Sequence, residues 1–268
     1  MAHIDCSFYS PALEKNAHVI VYLPTVSADD YLEDRPIAAE YNRPEKRWPT
    51  LYLLHGSYGD CMDWCLRTGI ERYAQEKGIA VVMPSGENSS YINMAHGERY
   101  LDYIGKELVE FTRKMFPLSR ARGETYIAGL SMGGYGAYRV AFEFPETFGK
   151  AASLSGGLDM QMLQNIPVSP HMTKMDPHYV EAVFADRRRI EGTRDDLLTL
   201  LGEQIAAGKT LPELYMTCGT EDFIYPANEK FYAGAQALGV PVTYEKFHGI
   251  HNWDFWDAHI QDVLRWLF

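Results

Sequence analysis

The sequence lacks the features that tie a protein to nucleic acid, to a membrane or to secretion. Its 268 residues carry 25 Lys and Arg against 36 Asp and Glu, a formal net charge of −11. Binding to phosphates or anionic lipids needs a basic face, which so acidic a chain does not favour. No apolar run approaches the length of a membrane span, and the first residues show no basic start followed by an apolar core. We therefore expect a cytoplasmic protein that binds neither nucleic acid nor membrane.

Cysteine is also scarce, with four residues in the whole chain. Cys61 and Cys65 lie one helical turn apart, but no second Cys or His pair stands at the spacing of a zinc site. We expect free thiols, no metal and no cofactor. Because 46% of the residues are hydrophobic, the chain can bury a large core without disulfides or metals.

Short apolar runs alternate with segments of helical period along most of the chain. Two strand-like pieces at the start, 4–9 and 18–24, predict a hairpin. Helices are predicted from Trp64 to Gly78 and from Gly97 to Pro117. Buried strands are predicted at TLYLLH and IAVVMP, and further strands at ETYIAG, GKAASLSG, ELYMTCG and VTYEKF. This alternation predicts an α/β fold with a mostly parallel sheet covered by helices on both faces. Ligands of such sheets bind beyond the carboxyl ends of the strands.

The segment 158–211 departs from this alternation. It is rich in Met, Pro and charged residues, contains at least one helical stretch, and is too long for a plain connection. We therefore predict a single domain, 1–268, in which 158–211 is an insertion over the active-site edge of the sheet.

The stretch GLSMG, residues 129–133, fits the pattern G-x-S-x-G with Ser131 at its centre. It follows a predicted strand and precedes a predicted helix, which is the context in which a tight turn exposes a nucleophilic serine. The flanking positions must be small where neighbouring backbone comes close. We predict Ser131 as a nucleophile, and a purely structural glycine turn is the alternative.

A second glycine-bearing loop, HGSYGDCMDW at 55–64, follows the run LYLLH. Attack by a serine on an ester carbonyl creates a negative oxygen that needs preorganised N–H donors. The donors are commonly the N–H after the nucleophile and one from the third-strand loop. These would be the N–H groups of Met132 and Ser57, and a simple glycine-rich connector is the alternative.

Acids and histidines follow the last two predicted strands. Glu221 and Asp222 come after ELYMTCG, and His248 and His251 come after VTYEKF. An acid can orient an imidazole, and an imidazole can act as general base. The chain order serine, acid, histidine is that of the α/β-hydrolases. The residues alone leave both pairs open, with Asp159 as a weaker candidate for the acid.

Aromatic side chains also lie near the candidate loops. Tyr58, Trp64 and Trp253 could hold a phenolic or sugar group of a substrate. Packing in the core is the alternative for at least half of the aromatic residues in these loops.

Taken together, these residues resemble the esterase D-like branch of the α/β-hydrolases. The likeness covers nearly the whole chain through SPALEKNAHVIVYLP, LLHGSYGDCMDW, AGLSMGGYGAYRVAFEFPETFGKAASLSG, CGTEDFIYPAN and GIHNWDFW. The chain is most similar to the bacterial tributyrin-type carboxylesterases. That branch also includes feruloyl and acetyl-xylan esterases, S-formylglutathione hydrolases and mycolyl transferases.

The resemblance implies a nucleophile, an acid, a base and an oxyanion donor at Ser131, Asp222, His251 and Ser57. The sequence departs from many relatives in one place, because Gly249 and Ile250 precede His251 where those relatives have two glycines. His248 therefore stays an alternative base.

The implied activity is that of a serine carboxylesterase that hydrolyses short-chain (acetyl or butyryl) or aryl esters through an acyl-enzyme. Its partner would be a small ester, without cofactor or metal, and relatives that are often dimers or tetramers imply a homo-oligomer. Alternatives on the same fold are a feruloyl or acetyl-xylan esterase, an S-formylglutathione hydrolase and an acyltransferase. A non-catalytic binding protein is the alternative from a different class.

Overall fold

The computed structural model describes residues 1–26, 32, 45–165 and 176–268. The strands in this part of the chain are β1 (Ala2–Ser10), β2 (Lys15–Leu23), β3 (Thr50–Leu54), β4 (Ala80–Pro84), β5 (Thr125–Leu130), β6 (Lys150–Leu154), β7 (Glu213–Gly219) and β8 (Val242–Phe247). They form one eight-stranded sheet in the order β1-β2-β4-β3-β5-β6-β7-β8. The strands from β3 to β8 run parallel to one another, and β2 pairs antiparallel with both β1 and β4. The predicted α/β class with a mostly parallel sheet is confirmed.

The hairpin predicted at the start of the chain is also present. β1 and β2 pair without a break from Ala2 opposite Leu23 to Ser10 opposite Lys15. Outward and inward side chains alternate along β1, as expected for an edge strand with one face on the core.

The helices of the described residues are α1 (Asp63–Arg67), α2 (Ile70–Lys77), α3 (Tyr100–Asp102), α4 (Leu108–Met115), α5 (Met132–Glu143), α6 (Pro177–Phe184), α7 (Leu197–Ala206), α8 (Tyr225–Ala237) and α9 (Trp253–Leu267). A π-helical turn (Tyr103–Glu107) joins α3 to α4, and 3-10 turns lie at Arg122–Glu124 and Met160–Asn165. Within these residues no helix is both long and apolar enough to cross a membrane.

The prediction of a single helix from Trp64 to Gly78 is wrong, because a turn at residues 68 and 69 separates α1 from α2. Thr68 is extended there (φ −141, ψ 168), and its hydroxyl donates back to the Trp64 carbonyl at 2.6 Å. The Gly69 N–H donates to the Asp257 carboxylate at 2.9 Å. A Cβ at Gly69 would stand 2.6 Å from the ring of Tyr73, so a larger residue at this position would have to displace that ring.

Two hydrophobic cores lie on opposite faces of the sheet. Along β3, Tyr52 and Leu54 join the core under α4, α5 and α8, whereas Leu51 and Leu53 join the core under α2 and α9. Both faces of the strand are therefore buried, as its continuous apolar sequence predicts. The sheet is therefore packed between two cores, and it holds in place the loops that follow the carboxyl ends of its strands.

Candidate active site

Ser131 occupies a strained turn between β5 and α5. Its backbone has φ 52 and ψ −117, and positive φ is uncommon for a residue with a side chain. Such strain persists where the surroundings impose it, and it concentrates at functional sites. Here the Ser131 N–H donates to the Leu154 carbonyl at 2.9 Å, and the Ser131 carbonyl accepts from the N–H groups of Gly134 and Gly157 at 3.0 and 3.2 Å. The hydroxyl is thereby presented at the carboxyl edge of the sheet.

The glycines beside Ser131 provide clearance for backbone. A Cβ on Gly129 would lie 2.3 Å from the Gly133 carbonyl oxygen, and a Cβ on Gly133 would lie 2.5 Å from the His55 carbonyl oxygen. Neither approach tolerates a side chain. The second contact also places the loop after β3 directly against the start of α5.

Three residues from three separate loops meet at this turn. The Nε2 atom of His251 lies 3.0 Å from Ser131 Oγ, and its Nδ1 atom lies 2.9 and 3.0 Å from the two carboxylate oxygens of Asp222. Ser131 follows β5, Asp222 follows β7 and His251 follows β8, and the carboxyl ends of these strands share one edge of the sheet. The structure thus brings Ser131, Asp222 and His251 into one hydrogen-bonded chain.

Asp222 provides a buried, ionised acceptor for the imidazole. Its side chain is fully buried, and its Oδ1 atom also accepts from the Ile224 N–H at 3.0 Å. Burial alone would raise the pKa of the Asp222 carboxyl, but the hydrogen bonds from His251 and from the Ile224 N–H outweigh it and leave the pKa below its ordinary value. A carboxylate at Nδ1 requires the proton on that nitrogen, so Nε2 faces the serine as an acceptor.

The competing acid and base pair with each other at the surface. His248 Nδ1 lies 2.9 Å from Glu221, and the His248 side chain is 96% exposed. The Gly249 N–H donates to Glu221 at 2.7 Å, and this bond together with His248 lowers the pKa of Glu221 to about 2. Asp159 pairs with Lys230 at 2.7 Å. The structure therefore brings none of these three alternatives to Ser131.

Ser57 and Met132 line one small cavity beside the serine, of about 30 Å³. The loop that carries Ser57 packs closely against the turn that carries Ser131, because a Cβ built on Gly56 would lie only 3.4 Å from Ser131 Cβ. Asn88 fixes the next residue of this loop by accepting from the Tyr58 N–H at 2.8 Å. The two residues predicted as oxyanion donors thus line the same cavity, next to Ser131.

The far wall of this cavity comes from the segment that carries no sequence motif. The side chains there are apolar or aromatic and belong to the Met160–Asn165 turn and to α6: Leu163, Tyr179, Val180, Val183 and Phe184. Sequence reasoning missed them because no periodicity marks which of them point inward. The insertion predicted at 158–211 stays a prediction as a whole, since its residues 166–175 lie outside the described part of the chain.

Comparison with known proteins places the chain in a family. The Esterase family model matches residues 10–267. The chain belongs to the Esterase family. With the relatives below, this match shows a carboxylic ester hydrolase of the esterase D-like kind on an α/β-hydrolase fold.

Three relatives match this esterase along nearly its full length. An acetyl esterase of Caldicellulosiruptor saccharolyticus is 33% identical over 268 residues, which cover 100% of this chain and 98% of that protein. The substrate-bound structure of FphF, a fluorophosphonate-binding serine hydrolase of Staphylococcus aureus, has a TM-score of 0.85 at 33% identity and covers 99% of this chain and 98% of its own. The S-formylglutathione hydrolase FrmB of the same organism, as apoenzyme, has a TM-score of 0.83 at 33% identity, with the same coverage.

The imidazole of His251 is fixed in this esterase by aromatic rings that sequence reasoning did not single out. Its ring centre lies 4.8 Å from that of Phe223, and 4.9 Å from that of Trp256, which meets it at right angles.

The residue after His251 begins the next helix: Asn252 caps α9 by accepting from the Phe255 N–H at 3.1 Å. An Asn directly before an amphipathic run is a recognisable N-cap signal, whereas the ring contacts have no local signature.

The three aromatic residues predicted as substrate contacts have different environments. Trp64 is 1% exposed and its indole N–H donates to the Leu54 carbonyl at 3.0 Å, so the prediction that it contacts substrate is wrong. Tyr58 is 53% exposed on the loop after β3. Trp253 is half-buried and packs edge-to-face on Trp64, with ring centres 5.4 Å apart. Tyr58 and Trp253 therefore stay predictions.

A metal site would need several ligating side chains close together. Among residues 1–26, 32, 45–165 and 176–268, no group of three or more His, Cys, Asp or Glu side chains is placed to hold a metal ion.

Proposed function

We propose that this esterase hydrolyses short-chain acyl esters through a Ser131–His251–Asp222 triad and an acyl-enzyme. The observation that supports this most directly is the continuous chain of hydrogen bonds from Asp222 through the His251 ring to Ser131 Oγ, with 2.9–3.0 Å between heavy atoms. These distances lie within the range in which an imidazole can accept the proton of an attacking hydroxyl.

In the acylation step, Ser131 Oγ attacks the ester carbonyl carbon while His251 Nε2 takes the hydroxyl proton. The carbonyl oxygen becomes an oxyanion and accepts hydrogen bonds from the N–H groups of Ser57 and Met132. His251 then donates its proton to the leaving alcohol as the carbon–oxygen bond breaks. Asp222 keeps the imidazole in the required tautomer and stabilises its protonated form.

In the deacylation step, a water replaces the alcohol. His251 removes a proton from the water as its oxygen attacks the acyl carbon, and the same two N–H groups stabilise the second oxyanion. His251 returns the proton to Ser131 Oγ as the acyl–enzyme bond breaks. The products are the carboxylic acid and the free enzyme.

The size of the cavity beside Ser57 and Met132 favours a small acyl group. One water-sized group needs roughly 10–15 Å³ of such space, so about 30 Å³ accommodates an acetyl group more readily than a longer chain. The acetyl esterase relative, at 33% identity, supports the same acyl class for this esterase.

A fluorophosphonate probe tests the proposed nucleophile directly. We expect one covalent adduct per chain, on the peptide that contains Ser131, and no adduct after heat denaturation, since the attack requires the assembled triad. Mass spectrometry of the digested protein locates the adduct. An adduct on another serine would contradict the assignment of Ser131 as nucleophile. No adduct on the folded protein would contradict the proposal as a whole and favour a non-catalytic binding protein.

Enlarging the cavity should shift the acyl preference. We expect Val183→Ala to raise the ratio of kcat/KM for butyryl over acetyl ester by about tenfold, because a methylene in an apolar pocket is worth about 1–3 kcal/mol. The ratio is measured with p-nitrophenyl esters. Val109→Ala, a buried change on α4 outside the cavity, serves as the control and should leave the ratio unchanged. If the Val183 variant and the wild type have the same ratio, Val183 does not line the site that binds the acyl group.

An S-formylglutathione hydrolase is a second candidate, favoured by the same small cavity and by the 33% identity to FrmB. A formyl group is smaller than acetyl and undergoes the same chemistry. Comparing kcat/KM for S-formylglutathione and for an acetyl ester separates the two activities.

A further inference from the structure

The imidazole of His55 lies at the base of the loop that carries Ser57. His55 is buried at the carboxyl end of β3. Its Nδ1 atom lies 2.7 Å from the Gly56 carbonyl oxygen, and the Gly86 N–H donates to its Nε2 atom at 2.8 Å. A backbone N–H can only donate, so Nε2 is the acceptor and the ring proton is on Nδ1. Nδ1–H therefore donates to the Gly56 carbonyl.

The neutral form that this pattern requires is the one that the surroundings favour. Burial disfavours the charged imidazole and lowers the pKa of His55. The Tyr91 hydroxyl donates to the His55 carbonyl at 2.9 Å, which fixes the backbone of the residue as well. Both the ring and the main chain of His55 are thus fixed.

The Gly56 carbonyl and the Ser57 N–H belong to the same peptide group. A peptide group is planar and trans, so its C=O and N–H bonds point in opposite directions. A hydrogen bond that fixes the direction of the Gly56 oxygen therefore fixes the direction of the Ser57 N–H. The Gly59 N–H also reaches the Gly56 oxygen, at a longer 3.3 Å, which leaves His55 as the shorter contact.

We propose that His55 is a positioning residue for the oxyanion hole: its Nδ1–H orients the Gly56–Ser57 peptide so that the Ser57 N–H points at the substrate oxyanion. This role rests on the proposed function, because it assumes that Ser57 is an oxyanion donor. His55 itself does not touch the substrate. It acts through one rigid peptide plane.

Two substitutions, each of which replaces one of the two ring nitrogens by an amide group, separate this role from a purely structural one in which His55 only holds the 85–92 loop. In His55→Asn, the amide nitrogen is as many bonds from Cβ as Nδ1 and can still donate to the Gly56 carbonyl. In His55→Gln, the amide oxygen is as many bonds from Cβ as Nε2 and can still accept from the Gly86 N–H. We expect His55→Gln to lower kcat at least about tenfold with KM changed less than about twofold, since a misaligned oxyanion donor acts on the transition state. We expect His55→Asn to retain kcat within about threefold.

A brace that only holds the 85–92 loop predicts the reverse order, with His55→Gln active and His55→Asn impaired. That result, or an equal loss in both variants, would overturn the proposal. Melting temperatures of both variants show how much of each is folded.

A ratio of two substrates keeps the test valid if a variant folds poorly. We measure kcat/KM for an oxoester and for the matching thionoester, whose developing charge lies on sulfur, a weaker hydrogen-bond acceptor. The fraction of folded enzyme cancels in the ratio of these two values. We expect the oxoester preference to fall about tenfold in His55→Gln and to stay near the wild-type value in His55→Asn. An unchanged preference in His55→Gln refutes the role of His55, whereas an active Ser131→Ala enzyme refutes the proposed function instead.

Discussion

Replacing Ser131 by Ala should lower kcat for a short-chain aryl ester by at least about three orders of magnitude, because the variant has no oxygen to form the acyl-enzyme. The fold should survive, since the backbone bonds of Ser131 to Leu154, Gly134 and Gly157 do not involve the hydroxyl. Residual hydrolysis would come from the oxyanion donors and from substrate binding alone.

The measurement is the steady-state rate with p-nitrophenyl acetate, together with a melting curve. Ser7→Ala, at an exposed position of β1, is the control for the loss of a serine hydroxyl elsewhere and should match the wild type. If Ser131→Ala keeps its activity within about a factor of ten of the wild type, Ser131 is not the nucleophile.

Asp222→Asn should lower kcat by roughly three to four orders of magnitude, the size of effect seen for this substitution in another Ser-His-Asp enzyme. The shape of the side chain is retained, but its amide can donate a hydrogen bond to Nδ1 of His251. The imidazole proton then moves to Nε2, which can no longer accept the Ser131 proton. Loss of the negative charge also removes stabilisation of the imidazolium that forms during attack.

Glu221→Gln is the matched control for this substitution. It removes one negative charge from the adjacent residue of the same loop, and the Gln oxygen can still accept from the Gly249 N–H. We expect kcat to stay within about threefold of the wild type. A large loss in the Glu221 variant with an active Asp222 variant would exchange the roles of the two acids.

Local sequence carried enough information to predict the sheet and the strained turn. Apolar runs without alternation identify strands buried on both faces, and the glycines around Ser131 are required by backbone contacts that the structure shows directly. The choice between His248 and His251 as the base could not be made from local sequence. Both follow the same strand, and only the orientation of the loop, held by the Glu221 contacts, decides which ring faces the serine. The family resemblance supplied that choice, and the residues alone did not.

The proposed acyl side of the site could not be predicted from the sequence, for a physical reason. Its wall is formed by side chains of α6 and of the Met160–Asn165 turn, and their direction depends on how these pieces pack against the loop after β3. The sequence also did not show in which direction the side chain of Trp64 points. This residue lies close in sequence to Ser57, the proposed oxyanion donor, yet its ring is buried in the core.

The three residues of the proposed triad are far apart along the chain. Asp222 and His251 are separated by 29 positions, and Ser131 and His251 by 120. Each stands at the end of a different strand, so they come together only when β5, β7 and β8 are paired in one sheet. Closing such long loops is slow compared with local contacts. The proposed triad therefore forms only in a sheet that holds β5, β7 and β8 together, and an assay that depends on the triad reports on this long-range pairing.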